Sequence, residues 1–435
     1  MSPKKVLLIT YYWPPAGGSG VQRWVKFCKY LREFGWEPIV YTPSNPEPPA
    51  IDKTLVKDIP DDITILKRPI WEPYSLYKKL LGMKKDAKLG AGLMKQEKGS
   101  SLLQKLSIWM RGNLFIPDAR KFWIRPSVKY LTAYLEQHQV DAIATTGPPH
   151  SMHMIGLGVK ENTGIPWLAD FRDPWTNIDF FEDLSLSKWA RNIHHRLEKK
   201  VLEQADSVTV IGPTMKKEFE EIVDKKISII TNGYDEDDFR DIAVAPSEDH
   251  FLLSHIGMMT PTRNPETLWQ ALTELNAESD EFRNKFRLQL IGKIDITIRE
   301  KILHYSLEQN VDIIDYVPHD KIIRMQKESD ALLLVINESP NANLLLPGKL
   351  FEYLAARKPI ICLSPVEGDV CYVLDKTKAG ILINTYDKEA LKTHLRQLFN
   401  QWKEGNISSN NESIDEFSRK NLTQQLASQL DHLIS

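Results

Sequence analysis

Cysteine is scarce: Cys28, Cys362 and Cys371 are the only three. No two stand at CxxC spacing, and the odd count argues against a disulfide framework. A reducing compartment suits such a chain best. Long hydrophobic runs are lacking too. Nothing approaches the roughly 20 apolar residues that span a bilayer. The first apolar run, Lys5–Thr10, is shorter than the core of a secretion signal, which takes about 7–15 residues. The expected location is therefore cytoplasmic. An excess of charge is also missing, since 56 Lys and Arg face 58 Asp and Glu. That balance excludes an overall electrostatic pull toward nucleic acid, so any basic surface has to be local.

What is present is a 435-residue chain with 42% hydrophobic residues, enough for two to three domains with real cores. Lys5–Thr10 (KVLLIT) reads as a buried strand. A Pro/Gly turn follows at Trp13–Gly20, then Val21, Trp24, Val25, Cys28 and Leu31 at helical spacing, then a second strand at Glu37–Thr42. This β–loop–α–β unit opens a parallel doubly wound sheet. Similar units recur through Ile227–Ile230, and a second series starts at Phe251–Ile256 and runs to Gly380–Ile383. The polar, Pro-containing Ala243–His250 separates the two series. The expected domains are 1–240, 250–410 and a C-terminal helical segment 411–435 that packs back on the first.

One stretch breaks the alternation. From Tyr77 to Arg111, nine Lys and Arg stand against two acids, with leucines, methionines and Trp109 interleaved. It is either a solvated insertion or a basic amphipathic surface for anionic lipid or an acidic acceptor.

Several residues stand where chemistry is expected. Gly18 and Gly20 lie between the first strand and first helix, where a bare backbone and free N–H groups suit an anion. A dinucleotide fingerprint fits poorly: its third glycine would fall at Arg23, and the second strand ends in Tyr41-Thr42-Pro43 without an acid for a ribose. His150 follows a strand end, where ligands of open α/β sheets bind; it could orient a sugar hydroxyl or merely cap the next helix. Arg172 and Asp173 crowd the end of the next strand, as a structural pair or as acceptor contacts. Arg263 precedes a helix starting near Pro265, an arrangement suited to a diphosphate. In the run Pro347–Pro359, Gly348 begins a helix, Lys349 adds charge, and Glu352 one turn on can accept from vicinal ribose hydroxyls. An ordinary i,i+3 Lys–Glu pair would look the same. No convincing metal-ligand set appears.

Together these runs resemble the retaining glycosyltransferases of family 4. The Tyr11–Gly20 loop is similar to that family's glycine-rich first loop. Asn232-Gly233-Tyr234-Asp235 is similar to its Asn-Gly-Val-Asp turn, Gly257–Ala271 to its basic phosphate segment, and Lys349–Pro359 to its donor-site helix. The resemblance implies the GT-B fold, two Rossmann-like domains facing a cleft. It also implies a nucleotide-sugar donor, a UDP-sugar in the first instance, and no cofactor or metal. Gly18, Gly20, Arg263, Gly348, Lys349 and Glu352 would bind the donor; His150, Arg172 and Asp173 would serve acceptor and catalysis. The chain departs from the family at Leu344, where a first glutamate is usual, at Met258, where an arginine is usual, and near Thr146, where a histidine is usual. The acceptor would be a glycan or lipid-linked molecule of polysaccharide or lipopolysaccharide assembly, met at the inner face of the cytoplasmic membrane through 77–111. A nucleotide-sugar 2-epimerase and a catalytically silent binding subunit of the same fold remain open.

Overall fold

The structure, a computed structural model, describes all residues except 1–2, 49, 73–101, 179–180, 241, 243, 245–248, 316, 318 and 409–411. Most of the basic 77–111 stretch thus lies outside the described residues. The chain divides into two units, Met1–Thr231 with Arg419–Ser435, and Asn232–Ser418. The division falls at Thr231 rather than at the polar 243–250 stretch.

In the first unit the apolar runs form β1 (Lys4–Ile9), β2 (Trp36–Pro43), β3 (Thr64–Arg68), β4 (Ala142–Gly147), β5 (Trp167–Phe171), β6 (Ser207–Val210) and β7 (Ser228–Ile229). All pair in parallel, in the order β3-β2-β1-β4-β5-β6-β7. Val6–Ile9 of β1 and Ala142–Ala144 of β4 are unbroken Val, Leu, Ile and Ala because helices cover both faces of such a sheet. Those helices are α1 (Ser19–Leu31), α2 (Leu102–Leu114), α3 (Lys121–Leu135), α4 (Ser151–Thr163), α5 (Lys188–Gln204) and α6 (Pro213–Ile222).

The second unit repeats the plan. It has α7 (Glu236–Phe239), β8 (Phe251–Ile256), α8 (Glu266–Glu278), α9 (Asp280–Lys285), β9 (Phe286–Ile291), α10 (Ile296–His304), β10 (Val311–Ile314), α11 (His319–Glu328), β11 (Ala331–Val335), α12 (Gly348–Ala356), β12 (Ile360–Ser364), α13 (Asp369–Thr377), β13 (Gly380–Asn384) and α14 (Lys388–Lys403). Its six strands run parallel in the order β10-β9-β8-β11-β12-β13.

The last helix, α15 (Arg419–Ile434), returns to the first unit. Its Leu422, Leu426, Ala427 and Leu430 share a core with Val21, Trp24, Val25 and Cys28 of α1. Asp431 pairs with Lys4 and accepts from the Trp36 indole N–H at 3.0 Å. Among the described residues no helix is long and apolar enough to cross a membrane.

A buried charge holds the first unit together. Asp170, near the end of β5, accepts from Arg23 Nη2 at 2.7 Å and Nε at 3.1 Å, and from the Trp24 indole at 2.7 Å. Thr209 and Thr146 donate to it from the flanking strands. Arg23 also donates to the carbonyls of Ile230 and Thr231. Burial pushes the Asp170 carboxyl up, but the Arg23 charge and these donors outweigh it and hold the pKa below the ordinary range. Removing one partner of such a pair leaves a bare charge in low dielectric. Asp170→Ala is expected to destabilise the first unit by about 3–5 kcal/mol in urea unfolding followed by tryptophan fluorescence. In the wild type the contribution is present above about pH 4, the unfolded carboxyl value, and is lost as pH falls through the depressed folded value.

Candidate functional site

Strand ends of open parallel sheets leave backbone polar groups and loops free for ligands. In the first unit β4 ends at Gly147 and β5 at Phe171. Arg172 follows two residues after Asp170, so extended backbone sends both side chains to the same face. Thr146 Oγ1 donates to Asp170 and accepts from Arg172 Nε at 3.2 Å. Arg172 Nη2 donates to the Pro148 carbonyl. Its Nη1 lies against Gly20, where an added Cβ would sit 1.5 Å away. This explains the second glycine of the loop. Gly18 is needed for another reason, a φ of 112° at the start of α1. Burial lowers the Arg172 pKa, opposed by the charges of Asp173 and Asp170.

His150 occupies the N-cap position of α4 without a side-chain capping bond. Asp118 caps that helix instead, accepting from the Ser151 N–H and Oγ at 2.8 Å. The His150 ring stacks on Trp175, centroids 4.5 Å apart and planes at 4°. Burial pushes its pKa well below the histidine range, and His153, His194 and Arg172 push the same way. The ring is therefore neutral at pH 7. His153 is buried behind it: the Trp167 indole donates to Thr145 Oγ1, which leaves that hydroxyl to donate to His153 Nδ1 at 2.8 Å. Its remaining nitrogen lies against Gly147, where a Cβ would be 2.5 Å away. His150, Arg172 and Trp175 line one cavity of about 280 Å³ with Tyr12, Asp118 and His194. Asp173, half-buried, stands beside it in sequence without lining it.

The second unit assembles another cluster. Tyr353 of α12 is fully buried, and its hydroxyl accepts from the Ile256 N–H at 2.9 Å, which pins the helix to the end of β8. Glu352 directly precedes Tyr353, and Lys349 stands one turn earlier. Glu352 Oε2 accepts from Lys349 Nζ at 3.1 Å and from Gln326 Nε2 at 3.0 Å. Gly348 opens α12 with no side-chain cap on its N-terminus. Arg263 donates to Asn337 Oδ1 and to the Met258 carbonyl at 3.2 Å; burial lowers its pKa. His255 donates from Nδ1 to the Leu333 carbonyl at 2.9 Å, and its Nε2 has no partner among the described residues. Burial pulls the His255 pKa down to about 4; the Leu333 carbonyl opposes this, and the charges of Arg263 and Lys349 reinforce it. Gly257, with φ 143°, and Gly292 bring backbones into contact here: a Cβ on Gly292 would lie 2.5 Å from the Gly257 carbonyl.

The structure joins Lys349 to Glu352 on the helix that Gly348 opens and holds Arg263 after β8 through Asn337 and the Met258 carbonyl; in the first unit it sets Arg172 against Gly20 and beside His150 in one cavity lining. The sequence reading missed Asp118, Trp175, His255 and Gln326. His255 precedes Ile256-Gly257 at a strand end, a signal as good as that of His150; Gln326 had none.

Two family models match the chain: Glycosyltransferase Family 4 over residues 99–238 and Glycosyl transferases group 1 over 235–415. The chain belongs to these glycosyltransferases. No curated protein matches in sequence. Among solved structures, this glycosyltransferase is similar to a sucrose-phosphate synthase from Thermosynechococcus elongatus (14% identity, TM-score 0.64, covering 99% of each chain). It is also similar to the lipopolysaccharide outer core galactosyltransferase WaaB in its apo form (12%, TM-score 0.56, 98% of this chain and 99% of that one). A third is a putative UDP-N-acetylglucosamine 2-epimerase from Listeria monocytogenes (11%, TM-score 0.56, 99% and 96%). At these identities the likeness shows the GT-B fold alone. Within this glycosyltransferase Leu344 is a buried core residue that brings no carboxylate, while Glu338 accepts from the Tyr386 hydroxyl at 3.0 Å. Met258 contributes its carbonyl to Arg263, and its side chain is half exposed.

Gly20→Ala should push Arg172 off its seat. The transfer rate is expected to fall by roughly tenfold to a hundredfold, the scale of an ångström-sized misplacement. Nucleoside diphosphate affinity should fall less than the rate, because the cations of the second unit are untouched and only room at the first loop is lost; steady-state kinetics with a binding titration check both.

Proposed function

We propose that the chain moves a sugar from a nucleoside diphosphate sugar, a UDP-sugar in the first instance, to a glycan or lipid-linked acceptor with retention of anomeric configuration. One arrangement supports the donor half: Lys349 and Glu352 pair on the first turn of α12, whose N-terminus has no side-chain cap, and Tyr353 pins that helix to the end of β8, the strand that carries the partnerless His255 Nε2 and leads into Arg263. Two cations and free helix N–H groups suit a diphosphate. A carboxylate 18% exposed suits two ribose hydroxyls, once Lys349 leaves it for phosphate. The neutral His255 Nε2 offers a lone pair, so it takes a hydroxyl rather than an anion.

The chemical work is to stabilise a departing diphosphate and an oxocarbenium-like sugar. Fixed charges and helix ends aimed at the leaving group supply that without reorganisation. Arg263 and Lys349 provide the positive field, which supports a metal-independent reaction. Gly18 and Gly20 leave room at the first loop for donor phosphate and acceptor. His150, Arg172 and Asp173 orient hydroxyls at the first unit; neutral His150 accepts from one without needing to lose a proton. The basic 77–111 stretch supports work at the inner face of the cytoplasmic membrane.

Thermal shift with UDP, GDP, ADP, TDP and NAD tests the donor assignment. A ligand at 100 times its dissociation constant adds about 2.7 kcal/mol. One nucleoside diphosphate should stabilise the wild type and lose its effect in Glu352→Ala. Stabilisation by NAD alone, or by none, overturns the assignment. Release of free nucleotide only when acceptor is present marks a transferase, whereas conversion of the sugar nucleotide without acceptor marks an epimerase. EDTA should leave the transfer rate unchanged.

A further inference from the structure

The cavity of the first unit has walls that sugar chemistry does not explain. Phe115, Ile178, Phe181 and Leu184 line it beside the His150–Trp175 stack. A pocket for a free sugar presents many donors and acceptors, whereas an apolar pocket with a few convergent charges selects an apolar ligand and fixes one polar group.

Cations outnumber carboxylates on the lining, Arg111, Arg120 and Arg172 against Asp118. Asp118 is used up on the α4 N-terminus, where three groups donate to it, the Ser151 N–H and Oγ and the Arg120 N–H. Arg120 pairs with Glu72 at 3.1 Å and lies over the Tyr11 ring at 4.5 Å. His150 and His194 are neutral: burial lowers both, the second to about 4. That leaves Arg111 and Arg172 on the lining. Arg172 gives its hydrogen bonds to a hydroxyl and a carbonyl and feels the charges of Asp173 and Asp170 without a salt bridge, and Arg111 makes no salt bridge among the described residues.

The wall is built rather than loose. Gly112 of α2 lies so close to the turn Glu182–Leu184 that a Cβ would stand 2.5 Å from the Leu184 carbonyl. Asn113 accepts from the Ser187 N–H at 2.8 Å and so ties α2 to the start of α5. These two helices also carry exposed Leu106, Trp109 and Leu114 on α2 and Trp189, 63% exposed, on α5. Exposed tryptophans with Lys188 beside them suit a ligand handed over from lipid rather than from water.

We propose that this cavity binds the acceptor as an amphiphile, its apolar chain along Phe115, Phe181 and Leu184 and its phosphate on Arg111 and Arg172. The inference rests on the reading of the chain as a transferase whose first unit holds the acceptor.

Titration of the full chain with n-decyl phosphate below its micellar concentration, against n-decanol and inorganic phosphate, tests it. Decyl phosphate should bind about a hundredfold tighter than either fragment. Arg111→Gln should weaken it about tenfold and leave decanol unchanged, with circular dichroism as the fold control. A benzophenone-tagged decyl phosphate, which needs no variant, should label peptides within 111–120 or 175–194. Equal binding of phosphate and decyl phosphate, an unchanged Arg111→Gln, or labelling elsewhere overturns the proposal. A UDP titration of the same preparation keeps the two readings apart. Nucleotide binding without decyl phosphate binding sinks only the amphiphile; decyl phosphate binding without nucleotide binding sinks only the transferase.

Discussion

The Arg23–Asp170 pair is the constraint on which the first unit depends. One carboxylate at the end of β5 is held from β4 by Thr146, from β6 by Thr209 and from α1 by Arg23 and Trp24. The same guanidinium ties down the carbonyls of Ile230 and Thr231, the last residues before the second unit begins. Three strands and one helix are thereby locked around a single buried charge. The cost of desolvating the pair is offset only because nearly every donor and lone pair is used.

The site inherits its geometry from that lock. Thr146, fixed by Asp170, positions Arg172, and Arg172 rests on Gly20 at the start of the helix that Arg23 anchors. The loop glycines, the β5 end and the first helix are thus one mechanical piece. The second unit uses neutral groups instead. Tyr353 holds α12 to β8, Ser329 donates to Ser254 at 2.7 Å, and His255 bonds the Leu333 carbonyl. Its charges, Arg263, Lys349 and Glu352, are only partly buried and stand at the edge of that frame. Such groups can exchange a protein partner for a ligand, as Lys349 would exchange Glu352 for phosphate.

Parallel strands were legible because strands buried on both faces read as unbroken apolar runs. KVLLIT, FLLSHI and ALLLV announce themselves. β3 (TILKR) does not, because it is a half-exposed edge strand with little apolar content. α3 was hidden by Pro126, which ordinarily breaks a helix interior. The helical turn that joins Lys349 to Glu352 was legible because i,i+3 neighbours meet on any helix. Their joining to Gln326, 26 residues back, was not.

The sequence alone determined the α/β class, the two strand series, the glycine-bearing first loop and the charged start of α12, since all of these are local periodicities or short spacings. Only the tertiary structure decided which polar atoms meet. Asp170 pairs with Arg23, 147 residues earlier in the chain, rather than with Arg172 two residues on. Parallel sheet order brings α1 over the end of β5, and extended backbone sends Asp170 and Arg172 to the same face without bringing their charges into contact. The apolar, cationic cavity arose the same way: its lining comes from segments spread between Tyr12 and His194, and no local pattern encodes their meeting.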